Sequence, residues 1–189
     1  MDKPKSRVKI MQGNNHVIIL GKDQRCPVCS RDAFSTTLIP YEIPHFRMSM
    51  FFVLHCDSCG YKNSDIISMD EKKPVRQSIR VSGSDALDVR VIKSSTAKVI
   101  VPGIIEVVGG SMSEGYISNV EGVLNRILGA LEFARHTSED EKEMKLAERH
   151  IRHIRDAIDG VGSIDLIIDD PAGNSAILGK HMPIDGVDA

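Results

Sequence analysis

Four cysteines are the residues with the clearest chemical potential, because they are the only cysteines in the 189-residue chain and they form two C-x-x-C pairs. The pairs are Cys26/Cys29 and Cys56/Cys59, with 26 residues between them. Each pair predicts a tight turn that points two sulfurs at one place, and two such turns supply the four tetrahedral thiolates that Zn²⁺ favours. Two disulfides are the alternative, but they need an oxidising compartment that nothing in the sequence indicates. We therefore predict one zinc ion bound by Cys26, Cys29, Cys56 and Cys59.

The predicted zinc site is structural. A catalytic zinc keeps one coordination position open and usually has three protein ligands, whereas four thiolates close the shell. His55 precedes Cys56 and is an alternative ligand, but four sulfurs leave no position for it.

Composition limits the classes of function. The chain has 24 basic and 26 acidic residues, a formal net charge of −2, whereas nucleic-acid-binding domains usually carry a basic excess. The basic N-terminus lacks the apolar core of a signal peptide, and no apolar run approaches the ~18 residues of a membrane span. We expect a cytoplasmic location, no membrane association and a metal site rather than disulfides.

Short strands are predicted to position the cysteines. Residues 8–11 and 17–20 are apolar and flank a Gly-Asn-Asn turn signal, which predicts an N-terminal hairpin. Residues 36–39 form a second strand candidate, and residues 48–54 alternate with period two and run into the second cysteine pair. A hairpin that carries both pairs is a zinc ribbon.

The remainder predicts a mostly β fold with two helices. Short strand candidates punctuated by Gly and Pro indicate a sandwich or barrel. They are residues 75–81, 89–93, 98–101, 104–108, 164–168 and 176–178. Ser118 and Ser138 each begin a capping-box pattern, which predicts two amphipathic helices that fold back as an antiparallel hairpin over about residues 118–160.

Several motifs, taken in order over about residues 24–178, resemble the ZPR-type zinc-finger proteins. They are the two cysteine pairs, Ile43-Pro44-His45-Phe46-Arg47, Cys59-Gly60-Tyr61-Lys62-Asn63, Lys93-Ser94-Ser95-Thr96-Ala97 before Ile100-Val101-Pro102, Val120-Glu121-Gly122-Val123-Leu124 and Asp169-Asp170-Pro171-Ala172-Gly173-Asn174-Ser175. Ser30 stands where the family usually has glycine, which predicts a slightly different turn.

The resemblance implies a four-cysteine finger followed by a β-domain of double-stranded β-helix type that carries the helical hairpin. It also implies a role, since eukaryotic relatives with two such modules bind translation elongation factor 1-alpha and assist its folding. A single module looks like the archaeal form. We accordingly expect domains at residues 1–20 (an N-terminal extension), 21–70 (the finger) and 71–189 (the β-domain).

Residues 169–175 have three interpretations. Pro171, Gly173 and Asn174 suit a structural turn, the family match favours partner binding, and two carboxylates allow acid–base catalysis. The partner-binding prediction covers Asp169, Asp170, Pro171, Gly173, Asn174 and Ser175. No nucleophile or histidine is paired with these carboxylates in the sequence, so we expect no enzyme and no small-molecule substrate.

A nucleic-acid-binding zinc ribbon is the alternative function. It is motivated by the finger and by basic residues such as Lys72, Lys73, Arg76 and Arg80, and the balanced charge counts against it.

Overall fold

Three antiparallel sheets and a helical hairpin make up most of the computed structural model, which describes residues 17–43, 46, 48–69, 73–110 and 113–179. The strands are β1 (Ile18–Arg25), β2 (Asp32–Glu42), β3 (Met48–Cys56), β4 (Lys62–Ser68), β5 (Val75–Val81), β6 (Arg90–Lys93), β7 (Lys98–Val101), β8 (Ile105–Val107), β9 (Tyr116–Asn119), β10 (Ile164–Asp170) and β11 (Ala176–Leu178). The helices are α1 (Ser84–Leu87), α2 (Val120–Thr137) and α3 (Glu141–Ile158).

The first sheet, here called the finger sheet, has the order β1-β2-β3-β4. Its central hairpin β2–β3 contains both strands predicted on either side of residue 44, and both are longer than predicted. β1 begins at Ile18 and pairs with β2, whereas the other predicted N-terminal strand, residues 8–11, lies outside the described residues. β4 was not predicted, because its polar residues interrupt the apolar alternation.

The two C-terminal sheets have the orders β5-β10-β7-β8 and β11-β6-β9. β10 lies in the middle of the larger sheet, and alternate residues of it point into the core. Ile164, Leu166, Ile168 and Asp170 are buried in turn, so a carboxylate occupies the fourth inward position. The fold class is therefore confirmed as mostly β, with a four-cysteine finger followed by paired sheets and a helical hairpin.

The helical hairpin is also confirmed, but its two predicted N-caps are wrong. α2 is capped by Asn119, the residue after Ser118, and the Asn119 side chain accepts from the N–H of Gly122. α3 is capped by Asp140, which accepts from the N–H of Lys142. Ser138 serves instead as the C-cap of α2.

The described residues form two hydrophobic clusters. The larger joins the C-terminal sheets to α2 and α3, and it includes no residue of the finger sheet among those described. The smaller contains Ile43 and Ile66 of the finger side packed against Ile92 and Ala176, with Phe46 beside them. The finger sheet is thus attached to the C-terminal sheets through a small apolar contact. No helix within the described residues is long and apolar enough to cross a membrane.

Candidate metal centre and the Asp170 loop

The four cysteines converge on one point at the end of the finger sheet. Their sulfurs all lie within 4.8 Å of one another, with Cys26 and Cys56 buried and Cys59 exposed. The Sγ atoms of Cys26 and Cys59 are 3.8 Å apart, and those of Cys29 and Cys56 are 3.7 Å apart. A tetrahedron with Zn–S bonds of about 2.3 Å requires sulfurs about 3.8 Å apart. The four sulfurs are therefore positioned to bind one metal ion.

Two similar turns hold the sulfurs in place. In the first, the N–H of Ser30 donates to the carbonyl of Cys26, and in the second the N–H of Gly60 donates to the carbonyl of Cys56, both at 2.9 Å. Ser30 has φ 58° and Gly60 has φ 73°, which are both left-handed. The expectation that Ser30 needs a different turn is therefore wrong, because serine adopts the conformation that glycine takes in the second turn.

The pKa values of Cys26 and Cys59 are shifted in opposite directions. Burial opposes ionisation of Cys26, but backbone N–H groups and the neighbouring thiols outweigh it and lower the pKa to about 7. The N–H of Tyr61 favours the Cys59 thiolate, but burial and the other sulfurs raise the pKa of Cys59 to about 12. Metal binding at neutral pH must therefore release the proton that Cys59 holds in the absence of a cation.

Asp170 is the centre of a second polar cluster, and its side chain is fully buried. Its Oδ1 accepts from Thr96 Oγ1 at 2.7 Å and from the N–H of Ala172 at 2.9 Å. Its Oδ2 accepts from Ser94 Oγ and Asn174 N at 2.8 Å and from Ser175 Oγ at 2.7 Å. Burial raises the pKa of Asp170, but these donors outweigh burial and lower it. The carboxylate thus organises the turn that follows β10.

The turn after β10, residues 170–175, is here called the Asp170 loop, and it lies against the finger sheet. The side-chain oxygen of Asn174 accepts from the buried N–H of Ser68, at 2.9 Å. Asp65 of β4 accepts from the N–H of Ser95, at 2.8 Å, and also from the Ser95 hydroxyl. Ser94, Ser95 and Thr96 therefore connect Asp170 on one side with Asp65 on the other.

The six residues predicted to bind a partner differ in their accessibility. Asp170, Gly173, Asn174 and Ser175 are buried, and Pro171 is exposed. Asp169 is partly exposed and forms an ion pair with Arg76 at 2.7 Å. Direct contact with a partner stays a prediction for this loop, and Pro171 and Asp169 are the members that offer it surface.

Asp65, Ser94, Ser95 and Thr96 were missed as members of this cluster. The sequence singled out the last three through the Lys-Ser-Ser-Thr motif. It gave no indication that Ser94 and Thr96 contact Asp170, because Asp170 is 76 and 74 residues away from them. The predicted motif at residues 43–47 is described only at Ile43, which belongs to the smaller hydrophobic cluster, and at Phe46, which packs against it.

Known protein families match both the finger and the C-terminal β-domain of this chain. A model of the ZPR1 zinc-finger domain matches residues 19–73, and a model of the ZPR1 jelly-roll domain matches residues 85–187. The second match alone covers more than half of the chain. The chain belongs to the ZPR1 family. Its four cysteines are accordingly a zinc-finger site for one zinc ion, and the two C-terminal sheets form the jelly roll.

Individual relatives agree with this assignment. A ZPR1-like protein of Methanocaldococcus jannaschii is 32% identical, over 83% of this chain and 80% of that protein. A ZPR1-like protein of Pyrococcus horikoshii is 31% identical, over 83% of this chain and 73% of that protein. The zinc finger chaperone zpr1 of Schizosaccharomyces pombe is 26% identical over 84% of this chain, which spans only 36% of that protein.

Gly173 tests the close contact between the Asp170 loop and the segment before β5. Its φ is +68°, and an added Cβ would overlap the carbonyl oxygen of Lys73. We expect Gly173→Ala to lower the free energy of unfolding by at least about 2 kcal/mol in urea titrations, since left-handed strain and the overlap add together.

Gly103→Ala is the matched control, because Gly103 has φ +73° and open space around the added Cβ. It should cost only about 1 kcal/mol, the strain alone. Equal losses in the two variants would show that the contact with Lys73 is unimportant.

Proposed function

We propose that this protein binds a polypeptide partner, translation elongation factor 1-alpha or its archaeal counterpart, and assists its folding or function in the cytoplasm. In this proposal Cys26, Cys29, Cys56 and Cys59 are the zinc ligands, and the zinc fixes a protein-binding surface without acting in catalysis. The name of the fission-yeast relative, a zinc finger chaperone, supports a protein partner.

The observation that carries the proposal is an apolar face of the finger sheet. Residues paired directly across antiparallel strands lie on one face, and the pairs Ile18↔Leu38, Leu38↔Phe52, Pro40↔Met50 and Thr36↔Leu54 therefore share a face. We call Ile18, Leu38, Met50, Phe52 and Leu54 the outer finger face. All five are only partly buried, and none belongs to either hydrophobic cluster of the described residues.

The apolar contact with the jelly roll is made by the other face of this sheet, although Asp65, which pairs with Phe52 at the β4 edge, also accepts from Ser95. Phe51 pairs directly with Ile66, and both lie in or against the smaller hydrophobic cluster. A contiguous, partly exposed apolar surface on the opposite face is typical of a protein-binding site. The sharp turns of the zinc site hold the strands that carry it.

Two other functions have less support. Asp170 is surrounded by donors and Asp169 is paired with Arg76, so neither carboxylate is arranged for acid–base work. Arg76 and Arg80, which suggested nucleic-acid binding, pair with Asp169 and Asp165. Lys72 lies outside the described residues.

A binding assay with purified components tests the proposal. We expect immobilised wild-type protein to capture the purified archaeal elongation factor, and Phe52→Glu to weaken capture at least about tenfold, because a charge would be buried at the centre of the contact. Val161→Glu is the control, since Val161 is an 81% exposed apolar residue outside the finger sheet. Each variant is first shown to hold one zinc. Failure of the wild type to bind the factor would refute the choice of partner, and unchanged binding by Phe52→Glu would refute the surface.

A further inference from the structure

A pocket of about 250 Å³ opens between α2 and the strands β6 to β9 of the jelly roll, away from the zinc site. Its apolar wall includes the buried side chains of Val99, Val123 and Ile127. Its polar side contains Lys93, Tyr116 and Arg126. Drug-sized ligands occupy pockets of ~300–1,000 Å³, so this volume suits one or two amino-acid side chains.

Two cations meet at one aromatic ring in this pocket. The Arg126 guanidinium carbon lies 4.4 Å from the centre of the Tyr116 ring, and Lys93 Nζ lies 5.6 Å from it. Lys93 is only 3% exposed and donates to the carbonyls of Ser94 and Glu114 and to the hydroxyl of Ser113, which are all neutral acceptors. Burial lowers the pKa of Lys93 and Arg126 lowers it further, while Asp65 and Asp170 oppose this change.

Neither cation has an ionic partner within the described parts of the chain. The ion pairs found there involve other residues, and Glu114, which also lines the pocket, is not within ion-pair distance of Arg126. Arg126 therefore presents guanidinium N–H groups whose only contact described here is the face of a ring. The pocket combines two mutually repelling positive charges with an apolar wall, and a bound anion would relieve the repulsion.

We propose that this pocket binds a carboxylate that is attached to an apolar group, supplied by an acidic side chain beside an aliphatic residue in a partner polypeptide. The carboxylate pairs with Arg126 in the bidentate manner that a planar guanidinium allows. The buried Lys93 contributes a second positive charge that attracts the carboxylate. The aliphatic neighbour packs on Val123 and Ile127. Only the source of the ligand rests on the function proposed above, because the charge and shape of the pocket are independent of the outer finger face.

A peptide titration followed by amide NMR tests the proposal. The probe is acetyl-Leu-Glu-Leu-amide, and its uncharged counterpart is acetyl-Leu-Gln-Leu-amide. We expect the acidic peptide to give saturable shifts in β9 and the first half of α2, and the glutamine peptide to bind at least about tenfold more weakly, since a charge-assisted pair is lost. Equal binding of the two peptides, or no binding of either, would overturn the proposal.

Variants locate the site. Arg126→Gln should reduce binding of the acidic peptide at least about tenfold, and Arg126→Lys should fall between it and the wild type, because lysine keeps the charge and loses the planar fork. Arg149→Gln, an exposed arginine of α3, is the matched control and should bind like the wild type. Unchanged binding by Arg126→Gln would overturn the assignment. Phe52→Glu should still bind the peptide, which separates failure of this site from failure of the outer finger face.

Discussion

Replacing Asp170 by Asn is expected to lower the free energy of unfolding by about 3 kcal/mol, although the two side chains have nearly the same shape. Each carboxylate oxygen of Asp170 accepts one backbone N–H, from Ala172 at Oδ1 and from Asn174 at Oδ2. Whichever oxygen becomes an amide NH₂ then faces a backbone donor that cannot rotate away. Urea or guanidinium titration followed by circular dichroism measures the change.

The neighbouring residue provides the control for this prediction. Asp169→Asn removes a partly exposed ion pair with Arg76, for which we expect a loss below about 1 kcal/mol. If Asp170→Asn changes stability by no more than Asp169→Asn does, the hydrogen bonds to Asp170 are not what holds the loop.

The same carboxylate makes stability depend on pH. Although burial opposes it, hydrogen bonding from Ser175, Thr96, Ser94 and Ala172 lowers the pKa of Asp170 in the folded state. A lowered folded-state pKa contributes stability above the unfolded value of about 4, and this contribution is lost as the pH falls through the folded value. The stability difference between wild type and Asp170→Asn should therefore narrow when the titrations are repeated at pH values below about 4.

Removal of zinc is the second change with a large expected effect. Structural zinc sites contribute apparent binding free energies of ~10–16 kcal/mol, which matches or exceeds the ~5–15 kcal/mol that stabilises a whole domain. Chelation, or Cys56→Ser, should therefore remove hydrogen-exchange protection from β2 and β3. The β7 and β10 amides should keep theirs, because the larger hydrophobic cluster takes no described residue from the finger sheet.

The amides of β6 and β11 should lose part of their hydrogen-exchange protection, less than β2 and β3 and more than β7 and β10. The reason is that Ile92 and Ala176 belong to the smaller hydrophobic cluster, which includes finger residues. His55→Ala is the control, and it should retain one zinc per chain by metal analysis because four sulfurs complete the shell. Loss of protection in β7 and β10 together with the finger would show that the chain unfolds as one unit.

The zinc site was predictable from sequence because its geometry is local. Each C-x-x-C pair fixes two sulfurs through one turn, and the alternating apolar residues of 48–54 predict the strand that leads to the second pair. Helices α2 and α3 were equally predictable, because their apolar residues recur at helical spacing. Their caps were not, because Asn119 and Asp140, which follow the predicted serines closely, have side chains that cap a helix as well as serine does.

The Asp170 cluster could not be derived from sequence in the same way. Alternation along 164–168, carried two residues further, places Asp170 inward, but its donors on Ser94 and Thr96 are 76 and 74 residues away in the chain. β4 was missed for the same reason. Its polar residues Ser64 and Asp65 look unsuited to a strand until their acceptors and donors at Gly115 and Ser95 are known.

The link from Asn174 to Ser68 spans 106 residues and has a consequence for synthesis on the ribosome. A growing chain contains all four cysteines once residue 59 has been made, so the metal site can close early. Asn174, whose side-chain oxygen accepts from the N–H of Ser68, is made near the end of the chain. A nascent finger therefore holds its metal while its docking surface for the jelly roll, around Ile66 and Ser68, is still uncovered. Stalled or truncated chains that stop before Asn174 would retain this exposed surface and become substrates for chaperones and proteases.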